Sequence, residues 1–257
     1  MRFKDHFSNH ASDYARYRPS YPSLLLEFLS SLAKNHHAAW DCGTGNGQVA
    51  LSLVDFFDRV YASDASPQQI EQAMGHERIE YFISSSESTS LPSASVDLIT
   101  VAQAFHWFDA DRFYKEAKRV LKPDGILALW CYGRFDIPTA SPQLEQVLQD
   151  FYQRVETYWP PERQLVEDRY ATLSFPFAEL NAPAFFMTVE WDASELTGYL
   201  QTWSATQRFI VSEGIGYIQQ VFEQISTHWN AQDSLRRTVQ WPIFMRVGKK
   251  TERNLFT

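Results

Sequence analysis

The sequence predicts a doubly wound α/β fold: a parallel sheet with helices on both faces and a helical cap above its carboxyl edge. Three observations carry this. From about residue 38 to 132, short apolar runs alternate with segments of helical period, the pattern of successive βαβ units. The first apolar run passes directly into the turn Gly43-Thr44-Gly45-Asn46-Gly47 and then a helix, which is how open α/β sheets form a crevice at their strand ends. The connections after the fifth and sixth strands each span roughly 50 residues, far beyond ordinary loops, and supply material for the cap.

The elements follow in order. An aromatic-rich arm over 3–22, with Phe7, Tyr14, Tyr17 and Tyr21, precedes a helix over 24–32. So many rings are costly to expose, so the arm is expected to fold across the domain. Strands are expected over 37–41, 59–63, 79–84, Val96–Ala102 and 126–132, with helices over 48–57, 67–74 and 111–121. Ser66 suits an N-cap, Pro67 the first helical position, and Gln69 the far corner of a capping box. The turn Lys122-Pro123-Asp124-Gly125 reads as a helix stop. Beyond it lie a helix over 143–159 broken by Pro160-Pro161, a strand over Phe185–Trp191, helices over 194–203 and 215–229, and a last strand over 239–247. This makes one domain over 1–250 with a tail at 251–257. The arm is 1–22, the core 23–132, 185–191 and 239–248, and the cap 133–184 and 192–238.

Composition narrows the function. The chain has 257 residues, 44% hydrophobic and 15% aromatic, enough for a full core. No window reaches the roughly 18 apolar residues of a membrane span, and the start Met1-Arg2-Phe3-Lys4 lacks the apolar centre of a secretory signal, so a cytoplasmic, membrane-free protein is expected. Cys42 and Cys131 have no metal-ligand spacing, so no metal is expected. A formal net charge of −8 disfavours nucleic acid as a partner and leaves a small-molecule substrate or a protein substrate as the expectation.

The chemistry concentrates at the glycine turn. Without Cβ atoms, Gly43 and Gly45 allow positive φ and let the backbone press against a ligand. Asp64 closes the next strand at the roughly 20-residue spacing at which a carboxylate takes both hydroxyls of a ribose. A dinucleotide fingerprint requires a third glycine where this chain has Gln48. Asp41, just before the turn, would repel a pyrophosphate but suits an ammonium and a sulfonium. The pattern therefore favours S-adenosylmethionine over a nicotinamide cofactor.

The segments 41–47, Ala62-Ser63-Asp64-Ala65-Ser66, Ser86-Glu87, Gln103-Ala104-Phe105-His106-Trp107-Phe108 and 119–125 resemble, in order and spacing, the motifs of the type-11 class I methyltransferases. Phe7, Tyr14, Arg18-Pro19, Tyr21-Pro22, His106-Trp107-Phe108-Asp109 and Tyr199-Leu200-Gln201-Thr202-Trp203-Ser204 are similar to the trans-aconitate methyltransferase-like branch. The resemblance implies seven strands, mostly parallel, with the last antiparallel. It implies that Gly43, Thr44 and Gly45 line the cofactor's methionine portion, with Asp41 near its amino group. Asp64 would hold the ribose, with Ala65 on one side of the adenine and Ser86 and Glu87 on the other. Ser86 departs from the family's usual alanine. Gln103 would face the methionine portion and the transferred methyl, and Tyr14 and Arg18 would close the site.

A hydroxyl or amine acceptor would need a base, for which His106, Tyr132 or a water are the candidates; a carboxylate would need none. His106 can equally be a structural histidine. The resemblance suggests a small organic acid as acceptor, with Arg18 as carboxylate partner, and residues 7–21 are expected to form a lid. The competing readings are an NAD(P)-dependent oxidoreductase, disfavoured by Gln48 and Asp41, and a cofactor-binding regulator without turnover.

Overall fold

The computed structural model describes residues 19–229 and 235–251. Tyr14, Arg18, the expected lid before residue 19 and most of the tail lie outside the described residues. The first helix, α1 (Ser23–Leu32), turns Leu25, Leu26 and Leu29 inward. Next come β1 (Ala38–Cys42), buried throughout, α2 (Gln48–Leu53), β2 (Arg59–Asp64), α3 (Pro67–Glu71) and β3 (Ile79–Ile83). A 3-10 turn, Phe105–Trp107, separates β4 (Val96–Ala102) from α4 (Ala110–Val120), and β5 (Leu121–Tyr132) follows. The remaining elements are α5 (Pro142–Val155), α6 (Gln164–Glu167), β6 (Ala178–Leu180), β7 (Phe185–Trp191), α7 (Ala193–Gln201), α8 (Ser204–Glu213), α9 (Gly216–Trp229) and β8 (Arg237–Lys249).

The sheet runs β3-β2-β1-β4-β5-β8-β6, with β7 also on β8. β3, β2, β1, β4 and β5 are mutually parallel, whereas β8 is antiparallel to β5, β6 and β7. β6 pairs residues 178–180 with 247–249, and β7 pairs Phe185 with Ile243 through Trp191 with Arg237, so the two share the outer edge of β8 end to end. Eight strands thus fill the seven expected positions. β1 lies between β2 and β4, where strand order reverses, and the crevice beyond their carboxyl ends is where such sheets bind ligands.

Several boundaries differ from the expectations. α2 ends at Leu53 and α3 at Glu71, each in an irregular turn. Ser66 caps α3 by accepting from Gln69 N, but the reciprocal side-chain bond of a capping box is not formed. Lys122-Pro123-Asp124-Gly125 lies within β5 and not outside it, because Leu121 already pairs with Val96 and Asp124 adopts φ 63°. The irregularity absorbs the extra residues as a bulge does.

The sheet buries Trp40, Trp130 and Trp241 completely. Each such ring contributes on the order of 3 kcal/mol through apolar burial. Above the carboxyl edge, the segments after β5 and β7 meet: α5 packs on α9 and α7 packs on α9. Their junction is aromatic, with Trp203 against Phe151, Tyr152, Trp159 and Tyr199. No helix among the described residues is long and apolar enough to cross a membrane.

Candidate active site

The glycine turn occupies the end of β1 with φ 70° at Gly43, 57° at Gly45 and 87° at Gly47. The Gly43 and Thr44 N–H groups donate to Ser63 O at 2.8 and 2.9 Å, which fixes the turn to the end of β2. A Cβ at Gly43 would stand 2.6 Å from Ala104 Cβ, so here the close approach is to the segment after β4. At Gly45 the nearest atom to such a Cβ is Gln69 Oε1, at 3.6 Å, so there is room for one and only the φ of 57° disfavours it. The glycines are therefore required for two different reasons.

Asp41 is buried behind this turn and accepts from the Thr44 and Thr100 hydroxyls, the latter at 2.7 Å. Burial pushes its carboxyl up to about 6, with Asp64 adding repulsion and the hydroxyls pulling the other way. Asp41 thus contributes charge and holds Thr44 in place. Asp64, half-buried at the end of β2, accepts from Gly45 N and Ser66 N, both at 2.9 Å. Ala65 beside it is exposed, and Ser86 is buried in the loop after β3. Glu87 accepts from Asp109 N at 3.1 Å, linking the loops after β3 and β4. Burial pushes up the Cys42 thiol's pKa, and the charges of Asp41, Asp64 and Glu87 add to it. The end of β1 thus lies in the shared negative field of three carboxylates.

Replacing Asp64 by alanine should weaken cofactor binding by roughly 10- to 100-fold, since a charge-assisted hydrogen bond contributes about 1.5–3 kcal/mol. Calorimetric titration with S-adenosylhomocysteine checks this; an unchanged affinity would reduce Asp64 to a turn brace.

Gln103 follows β4 with φ 53°, a conformation costly for a side-chain-bearing residue. Its amide clamps the end of β5, donating to Tyr132 O at 3.1 Å and accepting from Tyr132 N at 2.9 Å. The side chain expected to face the cofactor therefore also pins Tyr132. Gln103, His106 and Tyr132 form the floor of a cleft walled by Tyr152, Trp159 and Arg163 from one cap segment and by Tyr199 and Trp203 from the other, with Arg134 at its side.

Sequence reasoning missed Arg134, Arg163, Tyr152 and Trp159. The Arg134 guanidinium lies 4.0 Å from the Tyr152 ring centre, and that of Arg163 lies 4.4 Å from the Trp159 ring centre while Nε pairs with Glu167 at 2.9 Å. The position of Arg134, just past the end of β5, was the available signal. Trp203 is both buried and cleft-lining. His106 is buried with Nδ1 3.2 Å from the Tyr170 hydroxyl; burial, and secondarily Arg163, lower its pKa to about 3, so the ring is neutral at neutral pH.

Residues 40–129 match the methyltransferase domain family. Across 253 residues, 97% of this chain and 96% of the other, the sequence is 30% identical to a provisionally named methyltransferase of Dictyostelium discoideum. A solved structure from Anaeromyxobacter dehalogenans, provisionally described as a type II methyltransferase, superposes with a TM-score of 0.84 at 37% identity, covering 92% of this chain and 100% of that one. A Bacillus halodurans protein at 18% identity and TM-score 0.51, covering 89% of this chain and 98% of that one, shares the fold alone.

Proposed function

The chain belongs to the class I S-adenosylmethionine-dependent methyltransferases, and from that premise we propose that it methylates a small organic acid seated in the cleft over Tyr132 and His106. Membership sets aside the nicotinamide-dependent reading. Two observations support a cofactor in the crevice: a Cβ at Gly45 would meet nothing nearer than 3.6 Å, and Asp41, Asp64 and Glu87 all stand close enough to push up the Cys42 thiol. When bound, the cofactor supplies an activated methyl group. In this proposal Gly43, Thr44, Gly45 and Gln103 hold its methionine portion, and Asp64, Ala65, Ser86 and Glu87 its nucleoside. Asp41 supports them through Thr44 and its charge. Tyr14 and Arg18, which the resemblance adds to this set, lie outside the described residues.

One observation supports the acid: among the described residues, the cleft lining includes Arg134 and Arg163 and no Asp or Glu. Arg163 is partly offset by its pairing with Glu167, so Arg134 carries most of the charge that would repel a cationic amine and attract a carboxylate. The aromatic walls exclude water, and the clamped floor aligns the acceptor; alignment alone can supply about 7–11 kcal/mol of barrier lowering in favourable systems. A carboxylate nucleophile becomes an ester without losing a proton, so His106 and Tyr132 need not act as bases.

Incubation with S-adenosylmethionine and a panel of carboxylic acids, amines and alcohols, read by mass spectrometry, should give a methyl ester together with S-adenosylhomocysteine. An N-methylated product would overturn the acid reading. S-adenosylhomocysteine should also raise the melting temperature, by mass action on the native state, whereas NAD should not.

A further inference from the structure

We propose that His106 serves the acceptor as a hydrogen-bond donor through Nε2, with Tyr170 as the positioning residue that fixes the ring's tautomer. The acceptor's identity as a carboxylate rests on the reading above; the state of the ring rests on the cluster beneath the cleft.

The 3-10 turn Phe105–Trp107 opens with main-chain N–H groups that the turn itself leaves without partners. Tyr170 is fully buried, and its hydroxyl oxygen lies 3.2 Å from His106 Nδ1. A buried hydroxyl has one proton to give, and Nδ1 is the acceptor in hydrogen-bond reach of it. If Nδ1 carried a proton instead, it would donate to the phenolic oxygen, and the hydroxyl's own proton would have no acceptor among the described residues. A neutral imidazole accepting at Nδ1 must carry its hydrogen on Nε2. The ring lines the cleft, and Nε2 has no protein partner among the described residues. The groups around the ring are Tyr170, Trp107 and, at longer range, Arg163; none is an acid that would favour the protonated ring. Burial keeps it neutral.

The segment that delivers Tyr170 is strained for this purpose. After α6, Arg169 N donates to Val166 O and Tyr170 N to Leu165 O, each at 2.9 Å, the paired bonds of a Schellman ending. Arg169 and Tyr170 both sit at φ 57°, where glycine or asparagine is usual. Arg246 on β8 fixes this conformation by donating to Tyr170 O at 3.2 Å and Leu173 O at 3.1 Å. Such strain persists only where the surroundings over-determine it, and it clusters at working sites. Trp159, in the same lining, holds its Nε1 buried without a partner among the described residues. The His106 N–H, with Arg134 beside it in the lining, suits an anionic oxygen.

The test is nitrogen NMR of the full chain, labelled with 15N-histidine and saturated with S-adenosylhomocysteine, from pH 5.5 to 8. His106 should report the Nε2–H form with Nδ1 as a bare acceptor, unchanged over that range. In Tyr170→Phe, with its fold confirmed by circular dichroism, the Nδ1–H form should appear. An Nδ1–H ring in the unmodified protein, a titration near the ordinary histidine value, or a Tyr170→Phe spectrum identical to the parent would each overturn the inference. If that variant does not fold, the parent spectrum decides alone. An amine product in the screen above would defeat the acid reading, whereas the tautomer is read without any acceptor.

Discussion

Gly43→Val should abolish binding of S-adenosylhomocysteine and lower the melting temperature by on the order of 10 °C. Two separate causes act at this position. The new Cβ would sit 2.6 Å from Ala104 Cβ, and the far atoms of Phe108 begin at 3.3 Å, so a branched side chain has no room. Overpacking of this kind costs roughly 1–3 kcal/mol. A φ of 70° is also unfavourable for any side chain, by about 1–2 kcal/mol, and more for a β-branched one. The turn's shift would carry Gly45 N away from Asp64 and Thr44 away from Asp41, dismantling both anchors. Gly43→Ala should do less damage, and pairing it with Ala104→Gly should recover part of the stability by removing the clash while leaving the φ strain. Differential scanning fluorimetry and calorimetry check all three variants. A valine variant that binds normally would refute the assignment of close approach.

Asp41→Asn should separate stability from function. The folded carboxyl titrates at about 6, against an ordinary value of 3.8. The sign follows from which state releases its proton first. Near pH 4 the unfolded chain gives up its proton while the folded one keeps it, so stability falls as pH rises from about 4 to 6 and is level above. The loss is on the order of 3 kcal/mol, from roughly two units at 1.36 kcal/mol each. Asparagine retains an oxygen for one hydroxyl and is never charged, so the variant should lose that slope and match or exceed the parent's stability at pH 7.5. It should nevertheless bind S-adenosylmethionine at least about tenfold more weakly, a loss of 1.4 kcal/mol, because a charge complementary to the cofactor's cations is gone. The difference between the two proteins' melting temperatures from pH 4 to 8 measures the first effect, and titration at pH 7.5 the second. Parallel curves would show that burial of the charge is not the controlling term.

The parallel half of the sheet was legible because its signals are local. Val96–Ala102 is a strand to the residue, as is Phe185–Trp191 in the antiparallel half, since an apolar run and its flanking breakers are contiguous in sequence. The glycine turn and Asp64 were legible for the same reason. β6 was not: its three residues are mostly exposed and become a strand only by pairing with 247–249. α8 was missed because only Ala205, Thr206 and Phe209 turn inward, too few to mark a helical face in a polar stretch. The site divides along the same line. Asp41 could be picked out by position, but its buried state depends on Thr100, on another strand. The left-handed backbone at Gln103, Arg169 and Tyr170 leaves no trace in residue type, and the His106 to Tyr170 contact joins the sheet edge to a cap segment. Arg134 and Arg163 read as solvated charges until the cap closes over the cleft.

The placement of β8 bears on how this protein is made. It is the last of the described strands in sequence, yet it lies inside the sheet, pairing with β5 on one side and β6 and β7 on the other. While the chain emerges from the ribosome, β5 therefore waits with an open edge, and β7 has no neighbour until residues 237–249 arrive. An unpaired apolar edge of this kind invites misassociation. Nascent chains arrested before Arg237 should be bound by chaperones and cut readily by protease within 133–229, and arrest beyond Lys249 should relieve both. The outer strands β6 and β7 can join the sheet only after that late strand has been inserted.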